Sequence, residues 1–418
     1  MICAGKSELE IFGQSPKQSV VNSGFFVDFQ PSAGLDPKTT SIEFDIKGSE
    51  TDYLDLNDSI LYIRFKVTNS DGTAIDDNSA VKPTNYMLNA MFTDVVLSLN
   101  GVVIEGGGQM YPYKATIESI FNFNEDAKRL QLLPAGFSDD ENERGKWIEK
   151  SKLHELAGAL RLDFFNQPKY LIPRVDVHLE LKVNKSSFIL IKTDADPAVD
   201  PIIQLAQATL YARRVRVDPA VSLGHDIGLR NKNACYAFSR GEVRSATIAA
   251  KSHFFTKDNV FGHTVIPKFV VVGMVKSSAY TGDYKEAPFN FEHFNLGSIG
   301  LYRDGQAIPF RDIYQTDFDK RLFTKTYVQS IISNTQHLNT NLNNGISMDD
   351  FKNNGYALFT FNLAPDYDIH NRQSIADGNL RLDIKFRKMT AVAINVIIYG
   401  LFDDEIQITK DRAVIKGL

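Results

Sequence analysis

The first candidates for chemistry are eight histidines: His154, His178, His225, His253, His263, His293, His337 and His370. A helix-borne zinc pair spaces its ligands three to five residues apart, and no two of these histidines keep that spacing. Cys3 and Cys235 stand alone, so neither a cysteine metal site nor a disulfide framework is expected. Gly106-Gly107-Gly108 has the flexibility of a phosphate loop. It lacks the following Lys-Ser/Thr and the spacing that lets backbone amides cradle a phosphate, and reads as a connection between two elements. The paired carboxylates Asp139-Asp140, Asp349-Asp350 and Asp403-Asp404 have the residue types of a glycosidase. Such an enzyme must hold two carboxyls across a cleft, whereas adjacent acids in polar stretches read as turn residues. No Gly-x-Ser-x-Gly nucleophile elbow occurs. Arg213, Arg214 and Arg216 form the densest basic cluster. They suit either a phosphate or acidic partner, or cross-strand ion pairs on an exposed strand face. The net charge of −5 favours the ion pairs. No catalytic, cofactor-binding or metal-ligating set is expected.

Length and charge narrow the field. A chain of 418 residues is too long for one core and comfortable for two. A 43% hydrophobic and 23% charged composition is that of a folded globular protein. Phe (29) and Tyr (16) far outnumber the single Trp147, which leans toward sheet. The acidic balance, with pI near 5.9, argues against wrapping nucleic acid, and Lys6 and Lys17 are too sparse to change that. The first residues carry Lys6, Glu8 and Glu10 where a signal peptide needs an apolar run. The longest apolar run, Ala391–Phe402, is broken by Asn395 and falls short of the roughly 20 residues that span a bilayer. A soluble product made inside a cell is the expectation.

The elements that would position any site are strands. Phe92–Ile104 carries apolar side chains up to Asn100-Gly101 and again after it, the strongest short-range hairpin signal. Before it, Ile42, Phe44 and Ile46 alternate with Glu43 and Asp45. A polar corner (48–58) leads to Ile60–Val67, which alternates strictly, so that one face is buried and the other wetter. A polar loop, Thr68–Pro83, contains the Asp71-Gly72 turn signal. After the hairpin, Tyr111–Phe123 switches to helical spacing, with Tyr113, Ile117, Ile120 and Phe121 on one face. Residues 124–165 read as irregular to helical, with an acidic loop at Ser138–Glu143 and an amphipathic stretch around Trp147–Leu160. Strands resume at Pro173–Val183, Ser187–Ile191 and Ala208–Val217.

The second half repeats this order. Val265–Val275 matches Ile60–Val67, the loop Lys276–Ala287 matches Thr68–Pro83, and Phe294–Phe310 is a second hairpin turning at Asp304-Gly305. The helical stretch Phe318–Ile332 and the alternating strand Asp377–Phe386 follow, and Ala391–Phe402 and Glu405–Ile408 close the chain. Short strands with one helical insertion per half predict an all-β chain of two consecutive eight-stranded jelly-roll sandwiches. The expected division is an N-terminal arm at 1–30, a first jelly roll at 31–217, a linker at 218–232 and a second jelly roll at 233–418.

At this level of detail the chain resembles a known group. SIEFDIKGSETDYLDLNDSILYIRFKVTNS (41–70), the run from Phe92 through the helix, AQATLYARRVRVDPAV, FNFEHFNLGSIGLYRDGQAIP, NNGISMDDFKNNGYALFTFNLAPD and LFDDEIQITKDRAV resemble the double jelly-roll major capsid proteins of Polinton/Maverick elements and adintoviruses. The likeness covers most of residues 8–415. It implies the tectivirus–adenovirus lineage, in which two upright jelly rolls per chain and three chains per capsomer tile an icosahedral shell around double-stranded DNA. The implied partners are two further copies in a homotrimer, neighbouring capsomers, and penton or minor capsid proteins. The implied place is the virion, with no small-molecule substrate and no strong direct nucleic-acid binding. Three rivals stand beside this reading. A penton protein usually carries one jelly roll, a glycan-active double sandwich would show a carboxylate-lined aromatic cleft, and a sugar-binding module would need more than one Trp.

Overall fold

Asn100 and Gly101 take φ of +46° and +79°, and Asp304 and Gly305 take +49° and +84°. These left-handed values are what a two-residue hairpin turn requires, and both hairpins form. The computed structural model describes residues 18–37, 39–75, 81–192, 200–332, 344–374 and 376–417. Cys3, Lys6, Lys17, His337 and the stretch 333–343 of the second long insertion lie outside the described residues.

The first half contains β1 (Val21–Phe29), β2 (Ser41–Ile46), β3 (Tyr53–Asn69), β4 (Val81–Pro83), β5 (Phe92–Leu99), β6 (Val102–Glu105), β7 (His154–Gly158), β8 (Val177–Val183), β9 (Leu190–Lys192) and β10 (Pro201–Val217). They build one sheet in the order β1-β10-β3-β7, a second in the order β2-β8-β5-β6, and a small β4-β9 ribbon. The second half contains β11 (Ala234–Ile248), β12 (Phe254–Lys257), β13 (Phe269–Lys276), β14 (Leu296–Arg303), β15 (Gln306–Ile308), β16 (Tyr314–Gln315), β17 (Leu358–Asn362), β18 (Leu380–Phe386), β19 (Ile394–Ile408) and β20 (Val414–Lys416). Its sheets run β11-β19-β13-β17 and β12-β18-β14-β15, with β20 beside β19 and β16 beside β14. Leaving out β4, β9, β16 and β20, each half pairs its first, eighth, third and sixth strands in one sheet and its second, seventh, fourth and fifth in the other. That is the jelly-roll order, twice over.

Alternation decides the cores. Ile42, Phe44 and Ile46 are buried while Glu43 and Asp45 point outward, and Leu61, Ile63, Phe65 and Val67 of β3 face the same interior. Each sandwich closes on its own cluster, yet each borrows from the other. Tyr236, Ile406 and Ile408 join the first core, and Tyr113, Ile117, Ile120 and Phe188 join the second.

Several boundaries differ from the sequence reading. The arm expected over 1–30 gives up Val21–Phe29 to the sheet, where β1 pairs with β10. Its exposed, irregular pattern is that of an edge strand. The polar corner before Ile60 is part of β3, because Tyr53, Leu54 and Leu56 are buried, and so is Asp55 between them, paired with Arg213. The amphipathic stretch Trp147–Leu160 ends as strand β7. The linker expected at 218–232 contains a helix, Pro219–Gly228, started by Pro219 and by Asp218, whose carboxylate accepts the Ala220 N–H. The expected helix Phe318–Ile332 begins only at Thr324, since Phe318 and Phe323 turn into the core. The strands expected at Ala391–Phe402 and Glu405–Ile408 merge into one continuous strand, β19, which begins only at Ile394. Strands β11 and β12 have no counterpart in the sequence reading, because β11 mixes polar and apolar residues without a clean period.

Candidate functional site

The helix Tyr111–Asn122, here the seam helix, joins the two sandwiches. The chain leaves β6 through the glycine run. Gly106 sits at φ +109°, where a Cβ would lie 2.6 Å from the Val95 carbonyl oxygen, and the Gly107 N–H donates to the Asp94 carboxylate at 2.9 Å. The run is therefore a tight return over the sheet. Pro112 in the first turn starts the helix. Its Tyr111 hydroxyl donates to Asn89 of its own half, while Phe121 meets Phe269 of β13 edge to face at 6.1 Å.

Four ionisable side chains meet beneath this helix. The Lys114 ammonium lies 2.5 Å from Glu105, 2.9 Å from Asp163 and 3.9 Å from Glu118. The cluster reaches across to the second half, where the Tyr399 hydroxyl donates to Glu118 at 3.1 Å and the Gly241 N–H donates to Asp163 at 2.9 Å. A Cβ at Gly241 would come within 2.6 Å of Glu118, 2.8 Å of Tyr399 and 2.9 Å of Lys114, so only glycine lets β11 approach so closely. Further along, Phe164 packs edge to face on Phe238 at 5.7 Å and Lys169 donates to the Cys235 carbonyl.

The electrostatics follow from burying three carboxyls with one ammonium. Burial pushes the Asp163 carboxyl well up, helped by Glu105 and opposed by Lys114. Burial also raises Glu118. Burial alone would pull the Lys114 ammonium down, but Asp163, Glu105 and Glu118 outweigh it and hold it well above its ordinary value. Burying Asp163 and Glu118 beside a single bonded ammonium therefore favours their protonated forms more than water would. Cavities of about 710 Å³ and about 560 Å³ open beside it, and Asp163 lines both. An acid–base pair for glycoside cleavage needs free space between its carboxyls; here the Lys114 ammonium bonds to Asp163 and stands beside Glu118.

The residues singled out from sequence lie elsewhere and apart. Arg213 pairs with Asp55 at 2.8 Å and Asp58 at 3.4 Å, Arg216 with Asp52 at 3.1 Å, and Arg214 donates to the Lys47 carbonyl at 2.7 Å. They form the cross-strand set on the first sheet. Asp140 caps the helix Glu141–Ile148, and Asp139 accepts from Asn85 and from Tyr356. Asp350 closes a capping box with Ser347, while Asp403 binds Lys268 at 2.7 Å and Asp404 binds Arg240 at 2.9 Å. Among the histidines, His154 stacks on Trp147, His178 binds Asp45, His225 binds the Tyr53 hydroxyl, His263 binds Glu242 and His293 stacks on Phe318. Among the described residues no group of three or more His, Cys, Asp or Glu gathers to hold a metal. The two long insertions meet one another, with Lys128 donating to the Asn344 carbonyl at 2.5 Å.

The seam residues Glu105, Lys114, Glu118, Asp163, Gly241 and Tyr399 were missed in the sequence. Two signals pointed to them. Lys114 and Glu118 are the only charged residues of the helix Tyr111–Asn122, and Phe269–Val275 is a continuous apolar run where its counterpart in β3 alternates. A strand needs apolar side chains on both faces only when both are covered.

No protein-family model matches the chain. An uncharacterized protein of Caenorhabditis elegans is 25% identical over 381 residues, covering 86% of this chain and 89% of the relative. Among solved structures, a chain of the Sputnik virophage covers 100% of this chain and 93% of its own, with TM-score 0.63 and 10% identity. A chain of the PBCV-1 virus capsid covers 97% and 99% with TM-score 0.62 and 12% identity, and the mavirus major capsid protein covers 100% and 95% with TM-score 0.55 and 12% identity. The described residues have the double jelly-roll fold of these virus proteins.

Proposed function

We propose that this chain is the major capsid subunit of a double-stranded DNA virus of the Polinton/Maverick, adintovirus-like kind, and that it works by self-association rather than catalysis. The observation that carries the reading is the repeated eight-strand order, fused across a buried seam, in a chain whose fold likeness to capsid proteins runs from end to end. Two like sandwiches per chain give a trimer six like edges, which suits a pseudo-hexagonal capsomer in an icosahedral shell. The jelly rolls divide within 218–232. The insertions 124–165 and 333–356 supply trimer-interlocking or outward surface, since loops of that length usually carry function. The residues ahead of β1 contact a neighbouring capsomer, a penton or another inner protein in the virion.

Light scattering on the purified chain tests this: a particle of three 46.9 kDa copies is expected, and shells or capsomer arrays should be visible by electron microscopy. Pentamers would favour the penton reading, and a monomer at all concentrations would remove both. Deletion of residues 1–20 should impair shell assembly; unchanged assembly would overturn the role given to that segment.

A further inference from the structure

The two long insertions touch at a buried point. Lys128, on the helix Glu125–Leu130 of the first insertion, is 8% exposed, and Asn344 of the second is 3% exposed. The Lys128 Nζ donates to the Asn344 backbone carbonyl at 2.5 Å. The backbones close tightly here, since a Cβ at Gly345 would lie 3.0 Å from the Cβ of Glu125. Among the described residues no carboxylate forms an ion pair with Lys128, although buried ammonium groups are ordinarily paired. Burial outweighs Asp139 and Glu125 and pushes the ammonium down to about 8, so that a share of free amine is present at neutral pH. On the facing residue, the Asn344 Nδ2 is buried with no hydrogen-bond partner among the described residues, while its Oδ1 accepts the Ile346 N–H at 3.2 Å. A desolvated lysine amine, the form in which lysine acts as a nucleophile, is thus set against an amide whose oxygen is polarised and whose nitrogen nothing holds. Lys114, equally buried, differs in that its three carboxyls hold it protonated.

We propose that Lys128 and Asn344 join in an isopeptide bond that staples the two insertions within one chain. The ammonium first gives a proton to a carboxylate on the wall of the adjoining cavity of about 570 Å³, which Glu125, Asp139 and Asp350 line. The free amine then attacks the Asn344 Cγ, a short torsional swing from the backbone carbonyl that Lys128 already holds. The Ile346 N–H steadies the negative charge that builds on Oδ1. The Nζ–Cγ bond forms and the Cγ–Nδ2 bond breaks. A second proton passes from Nζ to Nδ2, which leaves as ammonia, and the proton held by the carboxyl converts that ammonia to ammonium. Nothing is oxidised or reduced. The step needs no partner, so it proceeds in the single folded chain whatever that chain assembles into. Residues 216 positions apart are then closed into one covalent loop, a constraint that acts mainly on the unfolded chain.

Intact mass and peptide mapping of the purified full chain test this. After allowance for N-terminal processing, the wild type should weigh one ammonia less than its sequence. Its tryptic digest should contain a branched peptide that joins the segment around Lys128 to the segment around Asn344. Lys128→Arg, which keeps the positive charge, should show its full sequence mass and linear peptides alone, and in a denaturing gel it should migrate apart from the wild type because it lacks the loop. A wild type at full sequence mass, with Lys128 and Asn344 in separate linear peptides, overturns the bond. Loss of ammonia with only linear peptides, as from ring closure at Asn344-Gly345, overturns it equally. A branch from Lys128 to any other segment refutes Asn344 as its partner.

Discussion

Replacing Lys114 with methionine removes the only positive charge among the described residues that pairs with Glu105, Glu118 and Asp163. Met matches the length of the stem and keeps the apolar packing, so the change isolates the charge. Removing one partner of a buried ionic set typically costs about 3–5 kcal/mol, because the remaining charges are left uncompensated in a low dielectric. Here three carboxyls would be left. Against a total stability of about 5–15 kcal/mol, such a loss is large enough to read directly in urea unfolding. The pH dependence is the sharper test. Burial already raises Asp163 and Glu118 in the native protein, and without Lys114 they rise further. A carboxyl whose folded pKa lies above its unfolded value binds more protons folded than unfolded. Its contribution is therefore fully present below the unfolded pKa, near 4, and is lost as pH rises toward the folded one. The gap between wild type and Lys114→Met should be small near pH 5 and widen by up to about 1.4 kcal/mol per pH unit for each extra proton the folded variant keeps. Adding Glu118→Gln to the variant should recover part of the loss at pH 8. A penalty under about 1 kcal/mol, or one that is flat or larger at low pH, would refute the account of Lys114 as the charge that compensates the buried carboxyls of the seam.

Gly241→Ala should destabilise by about 1–3 kcal/mol in the same assay, because its Cβ meets Glu118, Tyr399 and Lys114 within 3 Å. Gly101→Val should cost at least about 1–2 kcal/mol through its φ of +79°, although nothing lies within 4 Å of the new Cβ; a neutral result would mean that the turn relaxes to another type. Arg213→Ala should change the unfolding midpoint little, by under about 1 kcal/mol, since its ion pairs with Asp55 and Asp58 are partly solvated. His293, stacked on Phe318 and accepting the Asn295 N–H, is pushed down to about 4 by burial. It should stay neutral by NMR well below pH 6. A depressed histidine stabilises above its unfolded pKa near 6.5, and that contribution is lost as pH falls toward 4, so His293→Gln should flatten this acid limb.

What could be read from the residues alone was local. The Asn100-Gly101 and Asp304-Gly305 turns, the period-two burial of β2, β8 and β18, and their recurrence in one order follow from positive-φ tolerance and from which side chains alternate. Those rules act within a few residues, and together they are enough for a duplicated jelly roll. They misjudge the edges, where β1 and β11 have no clean alternation because neither face is fully buried. The seam required the tertiary structure. Glu118 finds Tyr399 across 281 residues of chain, and Asp163 finds the Gly241 amide across 78. No local pattern encodes which element will lie over a given sheet face. Only the folded chain decides that the seam helix covers the Tyr399 face, because covering depends on which elements compete in space for the same surface.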